Sequence, residues 1–296
     1  MWKLPWRRGA ANDRLESALK AHVQALAGDI GERNVFHPHA LQAAAAYIRG
    51  HWERLGMPVG LQAFEVDDLP VQNLETEVAG SSGEVFLLGA HYDSVMGSPG
   101  ANDNGSGVAA LLELSRIFKG KKLRRTVRFV AFVNEEPPFF CTEHMGSQVY
   151  ASAARARGDR IYGMISLETV GYFSEEPNSQ QYPPGLTTMF PDRGNFLAVV
   201  GDMNSQRLVG EIHQALLASR AIPTEALATF SNVPGVSWSD HASFWKEGYP
   251  AVMLTDTAPF RYPHYHTAED LPSQVNYAGL TAVTRGVQAV VEAICG

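Results

Sequence analysis

The sequence predicts an α/β fold with three layers, α/β/α, in which helices cover both faces of a mostly parallel, mixed central sheet. Two observations support this fold class. The stretches 84–90 and 126–134 are almost wholly apolar, which is typical of strands buried on both faces of a parallel sheet. Such stretches also alternate along the chain with segments of helical periodicity, the pattern expected of βαβ units.

The N-terminal part of the chain is predicted to form two helices. Asn12 or Asp13 can cap the first helix, and Glu16 is placed to complete a capping box from Asp13. Its apolar residues recur at helical spacing: Leu15, Leu19, Val23 and Leu26. The second helix is rich in alanine and runs from about residue 39 to residue 55, where Gly and Pro follow.

The remaining elements follow from the same two patterns. Strands are predicted near 59–66, 72–79, 84–90, 126–134, 161–170, 196–200, 225–230 and 250–255. Helices are predicted near 106–118, 145–156, 204–220, 241–247 and 277–294. The stretch 174–194, rich in Pro, Gly and Ser, interrupts this alternation without ending it. We therefore predict a single domain over residues 1–296, with 174–194 as a loop near the site and 1–12 as a loose N-terminal arm.

Composition limits the classes of function. The 296 residues include 24 Lys and Arg against 31 Asp and Glu, a formal net charge of −7. This balance argues against a general nucleic-acid partner, which would favour an excess of basic residues. No apolar run approaches the ~18–20 residues of a membrane span. The basic N-terminal start is not followed by the apolar region of a signal peptide, so the chain as given is expected in the cytoplasm.

Potential metal ligands follow the predicted strands one after another. In chain order they are His91, Asp93, Asp103, Glu135, Glu136, Glu168, His264 and His266. Taken singly, each would be an ordinary loop residue. Solvated acids have no reason to follow successive apolar strands, however, and the carboxyl ends of such strands are where open α/β sheets bind ligands. Imidazole and carboxylate groups bind divalent metals, so the sequence predicts a metal site at this edge of the sheet.

At these residues the sequence resembles peptidase family M28, the zinc metallopeptidases that include bacterial aminopeptidases and glutamate carboxypeptidases. The resemblance extends from about residue 85 to the end of the chain. It rests on stretches in the order of the family: HYDSVMGSPGANDNGSGVAALLEL (91–114), FVNEEP (132–137), MGSQVYA (145–151), ISLETVGY (165–172), SDHASFWKEGYPAVMLTD (239–256) and PHYHTAEDLP (263–272). It implies the three-layer fold of the zinc exopeptidases.

The resemblance implies a pair of zinc ions, with other divalent ions as alternatives. One ion is expected on His91, Asp103 and Glu168. The other is expected on Asp103, Glu136 and His266, so that Asp103 bridges the two. Many family members carry Asp where this chain has Glu168, which leaves open whether both sites fill.

The resemblance also assigns roles around the metals. Glu135 is expected to be the general base, taking a proton from a zinc-activated bridging water. Asp93 is expected to orient the imidazole of His91. Asp240 and Tyr265 lie in matching stretches and are candidates for hydrogen bonding or substrate binding near the site, with a structural role for Asp240 about equally expected. The other histidines without ligand spacing are expected to be surface or packed residues: His22, His37, His39, His51 and His213.

The function implied is that of a metal-dependent exopeptidase, foremost an aminopeptidase acting on peptides with a free N-terminus. A carboxypeptidase stays open, because Arg193 and Arg261 lie in loops near the matching stretches. A glutaminyl-cyclase-like acyltransferase also stays open. That group uses one zinc and tends to carry Trp directly before the last ligand histidine, where this chain has Tyr265. Retention of every ligand position and of Glu135 argues against a non-catalytic binding domain. Oligomeric state and side-chain preference are not predicted, and exported relatives are common.

Overall fold

The computed structural model describes residues 10–296, and its elements confirm the predicted α/β class. The strands are β1 (Gly60–Val66), β2 (Leu69–Val78), β3 (Val85–His91), β4 (Thr126–Phe132), β5 (Ile161–Glu168), β6 (Leu197–Asp202), β7 (Thr224–Thr229) and β8 (Ala251–Thr255). The α-helices of this part of the chain are α1 (Ala10–Val23), α2 (Pro38–Arg54), α3 (Gly107–Phe118), α4 (Gly146–Arg157), α5 (Gln206–Ser219), α6 (His241–Lys246) and α7 (Tyr277–Cys295). Within residues 10–296, every helix is too short or too polar to cross a membrane.

The N-terminal arm is shorter than predicted. Helix α1 begins at Ala10, so the last three residues of the predicted arm are helical, and the rest of it lies outside the described residues. The start of α1 is tied to α7, because the Arg285 guanidinium donates hydrogen bonds to the Asn12 side chain at 3.1 Å and to the Ala11 carbonyl at 3.2 Å. That residues 1–296 form one domain stays a prediction.

The eight strands form one mixed sheet in the order β1-β2-β4-β3-β5-β8-β6-β7. Its four central strands, β4, β3, β5 and β8, run parallel to one another. Antiparallel pairing begins on either side of them, where β2 joins β4 and β6 joins β8. The carboxyl ends of the four central strands therefore meet at one edge, which is where the sequence places most of the candidate ligands.

The central strands are buried on both faces, as their apolar sequences predict. In β3, Phe86 and Leu88 pack into a core formed with α1, α2, α3, α5 and α7. Leu87 points to the opposite face, into a smaller core formed with α4 and α6. Fully burying each such side chain contributes about 1.5–3 kcal/mol. The two cores hold the strand ends in a fixed relation to one another.

Helix α3 approaches the end of β5 closely enough to require glycine. A Cβ atom at Gly107 would lie 2.4 Å from the carbonyl oxygen of Leu167 and 2.3 Å from the side-chain oxygen of Asn104. The same Asn104 amide donates a 2.7 Å hydrogen bond to that carbonyl. The first turn of α3, the loop before it and the end of β5 thus form one rigid junction.

We predict that Gly107→Ala lowers the free energy of unfolding by about 1–3 kcal/mol, because the new methyl group forces this junction apart. Gly210→Ala is the matched control. Gly210 is also a helical glycine, in α5, but a Cβ there would meet nothing within 4 Å. That control should gain about 0.5–1 kcal/mol from better helix propensity. Urea denaturation measures the free energy of unfolding of both variants. An unchanged midpoint for Gly107→Ala would show that close packing at Gly107 does not constrain this junction.

Candidate metal centre

The carboxyl ends of neighbouring strands bring the predicted ligands together. His91 is the last residue of β3 and Glu168 is the last residue of β5. Glu136 follows β4, Asp103 lies in the loop that precedes α3, and His266 lies in the loop after β8. All are buried except His266, whose side chain is 32% exposed. The site is therefore open to solvent mainly on the side of His266.

Asp103 lies between the two histidines. Its Oδ1 is 3.4 Å from His91 Nε2, and its Oδ2 is 3.2 Å from His266 Nε2. Glu168 Oε2 lies 3.3 Å from His91 Nε2, while Glu136 Oε2 lies 3.4 Å from His266 Nε2. The side chains thus form two groups of potential ligands that share Asp103. The extra methylene of Glu168, relative to Asp, does not carry its carboxylate away from this cluster.

These distances fit ligand atoms arranged around metal ions. Zinc–ligand bonds of about 2.0–2.1 Å in a tetrahedral site separate neighbouring ligand atoms by about 3.3–3.5 Å. In the described part of the chain, His91 Nε2, Asp103 Oδ1 and Glu136 Oε1 are buried without a hydrogen-bond partner. Unpartnered buried polar atoms are costly, and metal coordination would satisfy them. The donor set, its spacing and its unpartnered atoms therefore fit divalent cations.

The charges of the site also call for cations. Burial, reinforced by neighbouring carboxylates, raises the pKa values of Glu135 and Glu136 well above the ordinary range for glutamate, and burial raises that of Glu168 as well. Burial disfavours the charged form of His91, yet the charges of Glu168 and Glu135 raise its pKa well above its usual value. Protons thus partly neutralise the cluster when no metal is bound.

Asp93 lies beside His91 and makes a second set of contacts that the sequence did not predict. Its Oδ1 lies 3.5 Å from His91 Nδ1. The same carboxylate accepts hydrogen bonds from the backbone N–H groups of Glu135 at 3.2 Å and Glu136 at 3.0 Å. One carboxylate therefore faces the imidazole after β3 and holds the backbone of the acidic pair after β4. The sequence contains no direct signal for the second contact, which joins residues about 40 positions apart.

Asp270 is a positioning residue that the sequence analysis did not single out. It accepts hydrogen bonds from the backbone N–H groups of Asn102 at 2.8 Å and Asp103 at 3.0 Å, and from the Tyr262 hydroxyl at 2.7 Å. Burial raises the pKa of Asp270 to about 6. The sequence signal that could have pointed to Asp270 is its place four residues after His266, near the end of a stretch that matches the family. Asp270 thus fixes the backbone that presents the shared carboxylate.

Arg33 is fully buried and holds the loop that leads to Asp103. Its Nε donates to the Tyr92 carbonyl at 2.7 Å, its Nη2 donates to the Gly100 carbonyl at 2.8 Å, and its Nη1 donates to the Pro99 carbonyl. Burial lowers the pKa of Arg33 to about 10, although nearby carboxylates oppose that shift. Arg33 therefore adds a fixed positive charge behind the site as well as a backbone clamp.

The remaining predicted residues adjoin these two groups, and Glu135 forms a third, overlapping group of potential ligands with His91 and Glu136. Glu135 Oε2 is 3.8 Å from His91 Nε2. The ring of Tyr265 stacks on that of His266, with ring centroids 3.8 Å apart. Asp240 is fully buried, burial raises its pKa to about 7, and neither of its carboxylate oxygens finds a hydrogen-bond partner among residues 10–296. It belongs to none of these groups of potential ligands.

An apolar pocket opens beside Glu168 and Tyr265. Its space, including the open mouth, is about 790 Å³. Residues of the 174–194 stretch form part of its wall, together with side chains that precede β6, α6 and the last loop. The apolar and aromatic lining residues include Tyr182, Leu186, Phe190, Phe196, Trp238 and Phe260. The pocket thus suits an apolar side chain next to the candidate metal groups.

Sequence comparisons identify relatives of this chain. The model of peptidase family M28 matches residues 73–291. The uncharacterized protein YfbL of Escherichia coli K12 is 35% identical over 289 residues, which cover 95% of this chain and 87% of YfbL. Leucine aminopeptidase 1 of Trichophyton equinum is 29% identical over 216 residues, which cover 68% of this chain and 52% of that protein. The chain therefore spans about half the length of this aminopeptidase.

Solved structures share the fold. BSAP, a zinc aminopeptidase from Bacillus subtilis, superposes with a TM-score of 0.76 at 17% identity, covering 99% of this chain and 96% of BSAP. The glutaminyl cyclase of Fimbriiglobus ruber superposes with a TM-score of 0.73 at 22% identity, covering 94% of this chain and 95% of the cyclase. At such identities the likeness shows the fold alone, and that fold serves both chemistries.

We predict that zinc raises the thermal midpoint of the metal-free protein, and raises it more at about pH 8 than at about pH 5.5. The folded-state pKa values of Glu135, Glu136 and Glu168 are raised, so their contribution to stability is present at low pH and is lost as the pH rises through those values. Zinc replaces the protons and reverses this loss. Differential scanning calorimetry of chelator-treated protein, with and without zinc, measures the effect.

Asp103→Asn should abolish most of the zinc-dependent shift, because it weakens the residue shared by both ligand groups. Asp192→Asn, on the exposed surface, is the control and should keep the shift. A zinc effect that is equal at both pH values, or one that survives undiminished in Asp103→Asn, would contradict the assignment of the centre.

Proposed function

This chain belongs to peptidase family M28, and we propose on that premise that it is a zinc-dependent aminopeptidase, with two ions per chain, that removes the first residue of peptides with a free α-amine. The observation that carries this proposal is the pair of histidine–carboxylate groups that share Asp103, with Glu135 adjoining them. Membership in the family supports a hydrolase. The metal count, the free-amine requirement and the residue roles are our proposal.

The proposed ligands divide into two sets with one bridging member. His91 and Glu168 would hold one ion and Glu136 and His266 the other, with one oxygen of Asp103 directed to each set. Zinc bound there would polarise the peptide carbonyl and lower the pKa of a water molecule at the site. Asp93, Asp270 and the backbone they hold would keep the ligands in place during the reaction. Other divalent ions with similar ligand preferences would fit the same donors.

Glu135 is the proposed general base. Its carboxylate would accept a proton from the attacking water and then deliver that proton to the nitrogen of the leaving amine. Its backbone N–H is held by Asp93, which leaves its side chain free for this work. Burial raises its pKa well above the usual range for glutamate, which favours its accepting a proton.

The apolar pocket is the proposed binding site for the first side chain of the substrate. Glu168 and Tyr265 lie on its wall, so a side chain in the pocket would lie next to the metal ligands. Its aromatic and aliphatic lining favours leucine-like or phenylalanine-like residues. The carboxylates around the metals, with Asp240 among the candidates, would receive the positive α-amine.

Two alternatives are less well supported. A carboxypeptidase needs a cation for the terminal carboxylate, and none of the described residues that line the pocket is Lys or Arg. Arg261 is buried and donates to the Gln180 side chain at 2.7 Å and to the Phe196 carbonyl at 2.8 Å. A glutaminyl cyclase is favoured by the shared fold, but this chain carries Tyr265 in place of the tryptophan typical of that group.

We predict that the zinc-loaded protein hydrolyses leucine and phenylalanine p-nitroanilides about 100-fold or more faster than their N-acetylated forms, because blocking the amine leaves the buried acids without their partner. The zinc held at this centre should be about two ions per chain. Release of p-nitroaniline gives the rates. Cyclisation of glutaminyl peptides without anilide hydrolysis, together with one zinc at this centre, would instead support the glutaminyl cyclase.

We predict that Glu135→Gln keeps its metal but loses about 10²–10⁴-fold in kcat, because the amide cannot accept the proton of the attacking water. Glu143→Gln is the matched control, since Glu143 lies on the same connection after β4 and its side chain is 89% exposed. That control should retain full activity. Normal turnover in Glu135→Gln would show that the base lies elsewhere.

A further inference from the structure

A second cluster of potential metal ligands lies among the helices of the larger core. His22 in the last turn of α1, His51 near the end of α2 and Glu113 in α3 each place a ligand atom within 4.8 Å of the others. From the sequence, both histidines are expected to be surface or packed residues, because they show no ligand spacing. They lie far apart along the chain, and only the packing of three helices brings them together.

The distance between His22 and Glu113 resembles that between ligands of one ion. His22 Nε2 lies 3.4 Å from Glu113 Oε1. That separation is long for a hydrogen bond between an imidazole and a carboxylate, for which about 2.7–2.9 Å is normal. It matches the about 3.3–3.5 Å expected between neighbouring ligands of a tetrahedral zinc ion. The same spacing occurs in the candidate metal centre, between His91 and Glu168.

Hydrogen bonds with neighbouring side chains outside the cluster orient two of its three members. The Nδ1 atom of His22 pairs with the Tyr47 hydroxyl at 2.8 Å, which leaves Nε2 to face Glu113. Arg116 donates two hydrogen bonds, of 2.8 and 2.6 Å, to Oε2 of Glu113, which leaves Oε1 to face His22. Metal-binding histidines and carboxylates are commonly held by such contacts through their other polar atom.

The third side chain carries an unsatisfied atom. His51 Nε2 is buried and finds no hydrogen-bond partner in the described part of the chain, and its ring lies 4.7 Å from that of His22, centroid to centroid. His22 and Glu113 are themselves buried. Burial lowers the pKa of His51 to about 4, so its imidazole is neutral, the form that binds a metal, at ordinary pH.

We propose that His22, His51 and Glu113 form a separate binding site for Zn²⁺, which links α1, α2 and α3. Two imidazoles and one carboxylate are a ligand set that zinc accepts, with a water molecule at the fourth position. An ion there would satisfy the unpartnered nitrogen of His51 and replace the long contact between His22 and Glu113. This site is independent of the proposed peptidase centre, with which it shares no residue.

The test is the zinc content of the full chain after equilibrium dialysis against buffered free Zn²⁺, measured by mass spectrometry of the metal. We expect His51→Ala to bind one ion fewer per chain than the unaltered protein, whatever the number held by the peptidase centre. His213→Ala is the matched control, because His213 is also a half-buried helical histidine but belongs to none of the ligand groups. It should bind the full number.

Two further measurements keep the result decisive. Zinc should raise the thermal midpoint of His51→Ala by roughly a few degrees less than that of the unaltered protein, while anilide hydrolysis stays within about two-fold. If His51→Ala does not fold, His51→Gln, which keeps a polar side chain of similar length, takes its place. Equal zinc content in a folded His51 variant and the unaltered protein would overturn the site and would leave the proposed peptidase function untouched.

Discussion

The burial of several carboxylates in one place is the constraint on which the candidate metal centre depends. Glu135, Glu136 and Glu168 surround Asp103 in a region largely closed to water, and burial raises the pKa values of the three glutamates. Such a cluster is tolerable only where positive charge compensates it. Imidazoles and a buried arginine provide part of that charge, and the spacing of the remaining unpartnered atoms suits divalent cations.

A second set of acids holds the backbone around the centre through hydrogen bonds. Asp93 and Asp270 use their carboxylates to gather backbone N–H groups, and Asp256 likewise accepts from the Asn102 amide at 2.9 Å and the Tyr172 N–H at 2.7 Å. These groups hold loops that have no sheet hydrogen bonds of their own. The candidate centre thus combines acids that face the potential ligand groups with acids that fix the backbone behind them.

The fold was predictable from the sequence because apolar runs and helical periodicity recur in alternation, and each strand and helix lies close to its predicted bounds. The proximity of His91 to Glu168 was predictable because both end parallel strands. The roles of Asp270 and Arg33 could not be predicted, because both residues contact backbone groups that are distant from them in sequence. The grouping of His22, His51 and Glu113 had no local signal either, because it requires knowing how three helices pack.

Part of the pocket wall lies in a loop, whereas the candidate metal ligands lie mostly at or near the ends of strands. The ligands are fixed by strand ends and by hydrogen bonds from buried acids, whereas residues such as Tyr182 and Phe190 belong to a long connection between β5 and β6 that contributes no strand to the sheet. Connections of this kind tolerate changes of length and composition far better than strands do. Changes in that connection can therefore reshape the pocket, while the candidate metal ligands stay where the sheet holds them.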